Sequence, residues 1–232
     1  MPTHDPYRRA LLRALAILPF GTVFAPAWAK AANEAGLVAP SVCLLTPELT
    51  AGPFYIDPDL VRADITEGRP GAPLRVVLQV VDEDCRPVEG SRVDVWHCDS
   101  AGNYSGFVRQ GSDRALDTRG ETFLRGTQFT DARGVAGFET IWPGWYRGRT
   151  PHVHYTVFLD GGREMTSQLF FPDGASEVVY RAAPYRARAA GQDTGNTSDG
   201  IARAAGPRAF ARVVEAAGRW QAELVVGVLP VG

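Results

Sequence analysis

The chain has 232 residues, 45% of them apolar and 22% charged, with a formal charge of -2 and a pI near 6.1. That length supports one sizeable core rather than two, and a charge this close to neutral leaves no basic footprint for nucleic acid. The 25 Gly and 17 Pro fall between short apolar runs, which predicts many turns joining short strands, hence an all-β sandwich or barrel.

In chain order, Arg8 and Arg9 precede an apolar stretch from Ala10 to Trp28, and Ala27-Trp28-Ala29 fits a small-x-small cleavage pattern. Residues 1–29 therefore read as an export signal, removed to give a periplasmic or extracellular protein. The order YRRALLR resembles the twin-arginine type, suited to a protein that folds around a cofactor before export; a Sec-type signal is the alternative. Arg13, Pro19 and Pro26 interrupt the apolar run, so no stable membrane span is expected. Residues 30–42 are small and polar, a flexible leader, and residues 43–232 form the folded domain. An oxidising compartment permits one disulfide among Cys43, Cys85 and Cys98 and leaves one thiol over. Cys85 and Cys98 flank a predicted hairpin unsymmetrically, which slightly favours Cys43 bonding one of them.

Cys43 to Leu60 is dense in Pro and Gly without helical or strand period, and predicts an ordered extended arm across the body. Leu74–Asp82 is a strand, Glu83–Gly90 a turn, and Ser91–His97 the return strand of a hairpin. Asp99–Glu121 is a long polar connection with Tyr104 and Phe107 near its start, and such connections inside compact domains are usually functional. Thr122–Thr130 and Val135–Trp142 are strands joined by a turn at Asp131–Gly134. A further turn at Asp160–Gly162 leads to a strand over Glu164–Phe171, and Ala175–Ala182 suits a short helix. Phe210–Val214 and Trp220–Leu229 close the chain on either side of Ala217-Gly218.

The chemistry concentrates in PGWYRGRTPHVHYTVF, Pro143 to Phe158. Side chains alternate faces along a strand, so His152 and His154 point the same way and can share one metal ion. Val153, Tyr155, Val157 and Phe158 make this a core strand with a polar front edge. Two ordinary partly exposed histidines are the commoner outcome for an H-x-H pair. Here, however, the chain holds only 4 His, and His4 belongs to the export signal. Two of the remaining three sit beside Tyr146 and Arg149.

Six stretches together resemble the intradiol ring-cleavage dioxygenases: TPELTAGPFY (Thr46–Tyr55), VDVWHCDSAGNYSGF (Val93–Phe107), FLRGTQFTDARG (Phe123–Gly134), FETIWPGWY (Phe138–Tyr146), RTPHVH (Arg149–His154) and TSQLFFPD (Thr166–Asp173). The nearest likeness is to an exported subgroup with a PGWYxGR signature. The resemblance implies a two-sheet β-sandwich with a transthyretin/Ig-like core and long irregular active-site loops. It further implies Fe(3+) held by Tyr104, Tyr146, His152 and His154, a donor set that suits a hard trivalent ion. Arg149 and Gln168 then match the family's pair beside the substrate, with Arg149 stabilising developing negative charge. The implied reaction takes a catecholic substrate and O2. By that resemblance catechol binds as a dianion that displaces a hydroxide and the Tyr146 tyrosinate, and oxygen enters between the two hydroxyl-bearing carbons to give a cis,cis-muconate-type diacid. Tyr55, Tyr155, Tyr180 and Tyr185 read as packing or surface residues, although Tyr55 lies in the arm.

The chain departs from the family pattern in the short Tyr146–His152 segment, which alters the substrate pocket, and in lacking the helical linker of the catechol dioxygenases. Homo-oligomerisation is left open. His97 reads as structural, yet it permits a rival site of His97, His152 and His154 holding zinc or copper. A second rival is a non-enzymatic transthyretin-like binding module.

Overall fold

The structure, a computed structural model, describes residues 44–57, 59–111, 114–159, 162–188 and 190–229. The expected export signal, the leader, Cys43 and most of the Asp160–Gly162 turn lie outside the described residues. Among the described residues, eight strands form two four-stranded sheets. They are β1 (Pro73–Val81), β2 (Arg92–Trp96), β3 (Arg125–Phe129), β4 (Val135–Ile141), β5 (His152–Leu159), β6 (Arg163–Phe170), β7 (Arg212–Ala216) and β8 (Arg219–Gly227). One sheet runs β4-β1-β8-β7 and the other β3-β2-β5-β6. Two short helices, α1 (Asp173–Tyr180) and α2 (Gly200–Ala205), sit between β6 and β7. This is the two-sheet sandwich that the resemblance implies.

Alternation explains the core. Val76, Leu78 and Val80 of β1 meet Val93 and Val95 of β2, Val153, Tyr155 and Val157 of β5, and Ala222, Leu224 and Val226 of β8 in one buried cluster. Each strand sends every second side chain between the sheets, and burial of that apolar area is the main stabilising contribution. The closing hairpin turns on Ala217 (φ 52°) and Gly218 (φ 76°), the two positive values that match a tight turn to strand twist.

The hairpin expected from Leu74–Asp82 and Ser91–His97 does not form. β1 and β2 are not a hairpin, because they belong to different sheets. The connection stays with β1 through Val88 N–H to the Val80 carbonyl (3.0 Å), then joins the second sheet through Gly90 N–H to Thr130 O (3.0 Å). β1 instead lies between β4, antiparallel, and β8, parallel.

The arm is extended and ordered over its described residues. Thr46 N–H bonds Gly227 O and Leu49 N–H bonds Thr166 O, each at 2.9 Å. The arm thus runs from β8 of the first sheet past the edge strand β6, and at Thr50 and Gly52 it reaches the outer face of the second sheet, the face to which β5 turns its histidines. Cys85 is disulfide-bonded, whereas Cys98 is a buried free thiol.

Candidate metal centre

β5 is buried on both faces. Val153, Tyr155 and Val157 enter the core, while His152 and His154, each 2% exposed, lie on the opposite face under the arm and the long connection. The polar front edge expected from the sequence is therefore an enclosed face. A sheet covered on its outer side by irregular chain can place polar groups there, provided they are satisfied.

Four donor atoms converge at this point. Tyr146 Oη is 3.0 Å from His152 Nε2 and 3.4 Å from Tyr104 Oη; Tyr104 Oη is 3.5 Å from His152 Nε2; and the two imidazole Nε2 atoms are 3.1 Å apart. His152 Nδ1 lies 2.6 Å from the Thr150 carbonyl oxygen. A carbonyl can only accept, so Nδ1 carries the proton and Nε2 turns its lone pair into the cluster. His154 stacks flat on Trp96, 5.0 Å between centroids at 7°, and its Nδ1 is buried without a hydrogen-bond partner.

Each donor is positioned by identifiable local chemistry. Tyr104 follows a loop tied by Asp99, whose carboxylate accepts from Ala101 N–H and Asn103 N–H, both 2.9 Å. Its own N–H donates to Gln110 Oε1 (2.9 Å), its carbonyl accepts from Thr118 Oγ1 (2.7 Å), and Phe54 of the arm stacks on its ring at 4.5 Å. The arm and this loop are clamped together by Arg125, 3% exposed, which donates to Phe54 O (2.6 Å) and Ser105 O (2.7 Å). Tyr146 lies in a turn closed by Arg149 N–H to Tyr146 O at 3.2 Å.

The two tyrosine-bearing segments touch through glycines. A methyl on Gly144 would strike the Ser100 carbonyl oxygen and lie 2.7 Å from Asp99 O, and one on Gly102 (φ 90°) would strike the Trp145 carbonyl oxygen. Only glycine permits that backbone-to-backbone approach.

Burial holds all four donors neutral in the protein alone. It pushes the Tyr146 phenol up to about 12, and it raises Tyr104 well above the ordinary phenol range, with Tyr146 adding to the effect. It pushes His152 down to about 3, helped by the Arg149 charge, and lowers His154 as well, with His152 and Arg149 contributing. A bound cation reverses this preference for the phenols, since a metal charge stabilises phenolate directly. Donors at roughly 2.0–2.2 Å from one ion stand about 3 Å apart, so spacings of 3.0–3.5 Å suit a single shared ion. Two oxygens and two imidazoles fit a hard or borderline ion such as iron.

Arg149 and Gln168 also belong to this face. Arg149 donates from Nη2 to Gln168 Oε1 (2.5 Å) and from Nε to Asp199 Oδ2 (2.8 Å). Gln168 stands opposite His154 in the ladder, and its Nε2 donates to Thr50 O of the arm at 2.9 Å. Gln168 is thus a brace between arm and guanidinium. Tyr55 donates to Asp94 Oδ2 at 2.9 Å.

His97 is not part of the cluster. Its Nδ1 lies 2.8 Å from the Cys98 carbonyl oxygen and its Nε2 2.7 Å from Thr140 Oγ1. The carbonyl fixes the proton on Nδ1, so Nε2 accepts from the Thr140 hydroxyl and has no lone pair for a metal. Among the described residues no group of three His, Cys, Asp or Glu side chains could hold a metal ion. The three-His site is not assembled, because His97 follows β2 with the parity of Val93 and Val95, away from Trp96 and the His pair. A cleft of about 590 Å³ lined by Trp145, Asp173, Glu177, Tyr180, Arg188 and Asp193 includes none of the four donors.

Sequence reasoning missed Asp199, together with α2, which it caps. The available signal was Asp199 directly ahead of Gly200-Ile201-Ala202, an N-cap pattern. The aromatic wall of Phe54, Tyr55, Trp96 and Phe107 around Tyr104 was also not foreseen.

Residues 46–182 match the family described as Dioxygenase. In structure the chain is similar to an intradiol ring-cleavage dioxygenase from Tetranychus urticae, with a TM-score of 0.74 and 33% identity over 82% of this chain and 96% of that one. It is also similar to the dioxygenase domain of a carbohydrate-binding fusion from Streptomyces sp. SirexAA-E, with a TM-score of 0.60 and 27% identity over 81% and 100% of the two chains. In sequence it is 34% identical over 146 residues to the protocatechuate 3,4-dioxygenase beta chain of Burkholderia cepacia, covering 57% of this chain and 60% of that protein. The chain spans about half the length of the curated relatives it matches. Fold and matches together define a dioxygenase domain. Within that class, the chain belongs to the intradiol ring-cleavage dioxygenase family.

Proposed function

We propose that this chain is an exported non-haem iron(III) enzyme that cleaves a catechol-type ring between its two hydroxyl-bearing carbons with O2, releasing a cis,cis-muconate-type diacid. The observation that carries the proposal is the meeting of two phenol oxygens around His152 Nε2, at 3.0 and 3.5 Å, with His154 Nε2 3.1 Å from the same nitrogen. Tyr104, Tyr146, His152 and His154 hold the metal. Ferric iron, when bound, supplies the electron chemistry between catechol and O2. The family relatives named for catechol and protocatechuate cleavage support that substrate class.

The protein's own part is position and charge. The Thr150 carbonyl fixes the His152 tautomer. Tyr146 is the more exposed of the two phenols that would hold the metal, and so the one a substrate oxygen would reach first. Arg149 spends Nε on Asp199 and Nη2 on Gln168, and its Nη1 has no protein partner among the described residues. That group is available to an anionic oxygen of substrate or product, where a preset donor lowers the cost of developing charge. Phe54, Tyr55, Trp96 and Phe107 keep water from the Tyr104 side. The export pattern over residues 1–29 supports a periplasmic or extracellular site of action.

The test is the visible absorption spectrum of the purified protein with metal analysis, before and after anaerobic catechol. A broad tyrosinate-to-iron(III) band that moves to longer wavelength is expected. A colourless protein that takes up zinc and refuses iron overturns the proposal. Retained catechol turnover when both Tyr146 and His152 are replaced would likewise overturn the assignment of these side chains as metal ligands.

A further inference from the structure

We infer that Asp199 is a positioning residue of this centre, holding the Arg149 guanidinium and the Thr150 peptide in one fixed arrangement beside His152; the inference rests on the iron reading above. Asp199 is 1% exposed, and its two carboxylate oxygens face opposite duties. Oδ1 accepts from Ile201 N–H (2.7 Å) and Ala202 N–H (3.1 Å), capping α2. Oδ2 accepts from Arg149 Nε (2.8 Å) and Thr150 N–H (2.9 Å).

Capping alone does not account for this residue. A helix cap needs one oxygen, and Ser, Thr or Asn supplies it without burying a charge. A buried carboxylate is costly unless paired and hydrogen-bonded, so the second oxygen is what makes an acid tolerable here. That oxygen is wholly engaged by the site. Through Arg149 it fixes the cation that also grips Gln168. Through Thr150 it fixes the peptide whose carbonyl takes the His152 proton at 2.6 Å, the kind of outer contact that orients a ligating imidazole. The same residue is held from its other end, where Thr150 Oγ1 donates to Asn196 Oδ1 at 2.8 Å. Asp199 and Asn196 both lie beyond residues 46–182, the stretch that matches the family. The C-terminal segment thereby contributes to a centre whose ligands all lie earlier in the chain.

Asp199→Asn separates the two duties. Its carbonyl can keep the cap, which leaves an NH2 group facing two donors and strips Arg149 and Thr150 of their acceptor. Asp199→Ser, smaller and also a good cap, does the same without the added donors. With iron loaded, both variants should lose about ten- to a hundredfold in kcat/KM, and their tyrosinate-to-iron(III) band should shift from the wild-type position. Combining Asp199→Asn with Arg149→Lys should cost less than the sum of the two single losses.

Three results overturn the inference: a wild-type kcat/KM and band in both variants, losses that add fully to those of Arg149→Lys, or losses that track only the amount of folded protein while the band per bound iron stays unchanged. A wild-type protein with neither band nor catechol turnover would instead sink the iron reading.

Discussion

Replacing His97 by glutamine should flatten the acid side of the stability profile. In the native protein His97 is 1% exposed, with Nδ1–H donated to Cys98 O and Nε2 accepting from Thr140. Burial pushes its imidazole from 6.5 down to about 4, and the Arg125 charge acts the same way, against the Cys98 hydrogen bond. The fold thus holds His97 neutral while the unfolded chain takes up a proton near pH 6.5. Stability is complete above that value and drains as pH falls, until the folded form also protonates near pH 4. The difference in proton affinity amounts to about 2 kcal/mol lost by pH 5 and about 3 kcal/mol by pH 4. Glutamine can hydrogen-bond but cannot titrate. Urea unfolding of both proteins from pH 7 to pH 4, in the same metal state, isolates the term, because all other titrating groups cancel in the difference. The wild-type advantage should shrink by about 3 kcal/mol across that range. An advantage constant to within about 0.5 kcal/mol would refute the assignment of a buried neutral imidazole.

Two further outcomes follow from the geometry. Tyr104→Phe removes one converging oxygen and leaves the Phe54 stack in place; iron affinity, read by chelator competition, should fall by more than the roughly ten- to hundredfold typical of an outer contact, with the visible band reduced. Gly144→Ala forces a methyl against the Ser100 and Asp99 carbonyls; it should cost about 1–3 kcal/mol in unfolding free energy and weaken iron binding, although it alters no donor.

Much of the sandwich was legible because alternation is local. The periods of β1, β5 and β8 mark their inward faces, and the H-x-H spacing marks the outward one. Alternation does not say which sheet a strand joins, so the expected β1–β2 hairpin was wrong, and the parallel β1–β8 pairing of distant segments had no local signal. Tyr104 and Tyr146 have no period, since both sit in irregular chain; their candidacy came from resemblance. Asp199 announced its helix cap, yet its grip on Arg149 and Thr150 arises only when the C-terminal segment folds back.

Strand β5 divides its residues by parity. Odd positions Val153, Tyr155 and Val157 feed the core, and even positions His152 and His154 feed the centre. A slip of one residue against β2 or β6 would drive two imidazoles between the sheets and expose the valines. A one-residue misregister cannot then keep a sound core while losing the face that carries the two imidazoles. The pairing of β5 with β2 and β6 that buries the core thus also sets the spacing of the two imidazoles.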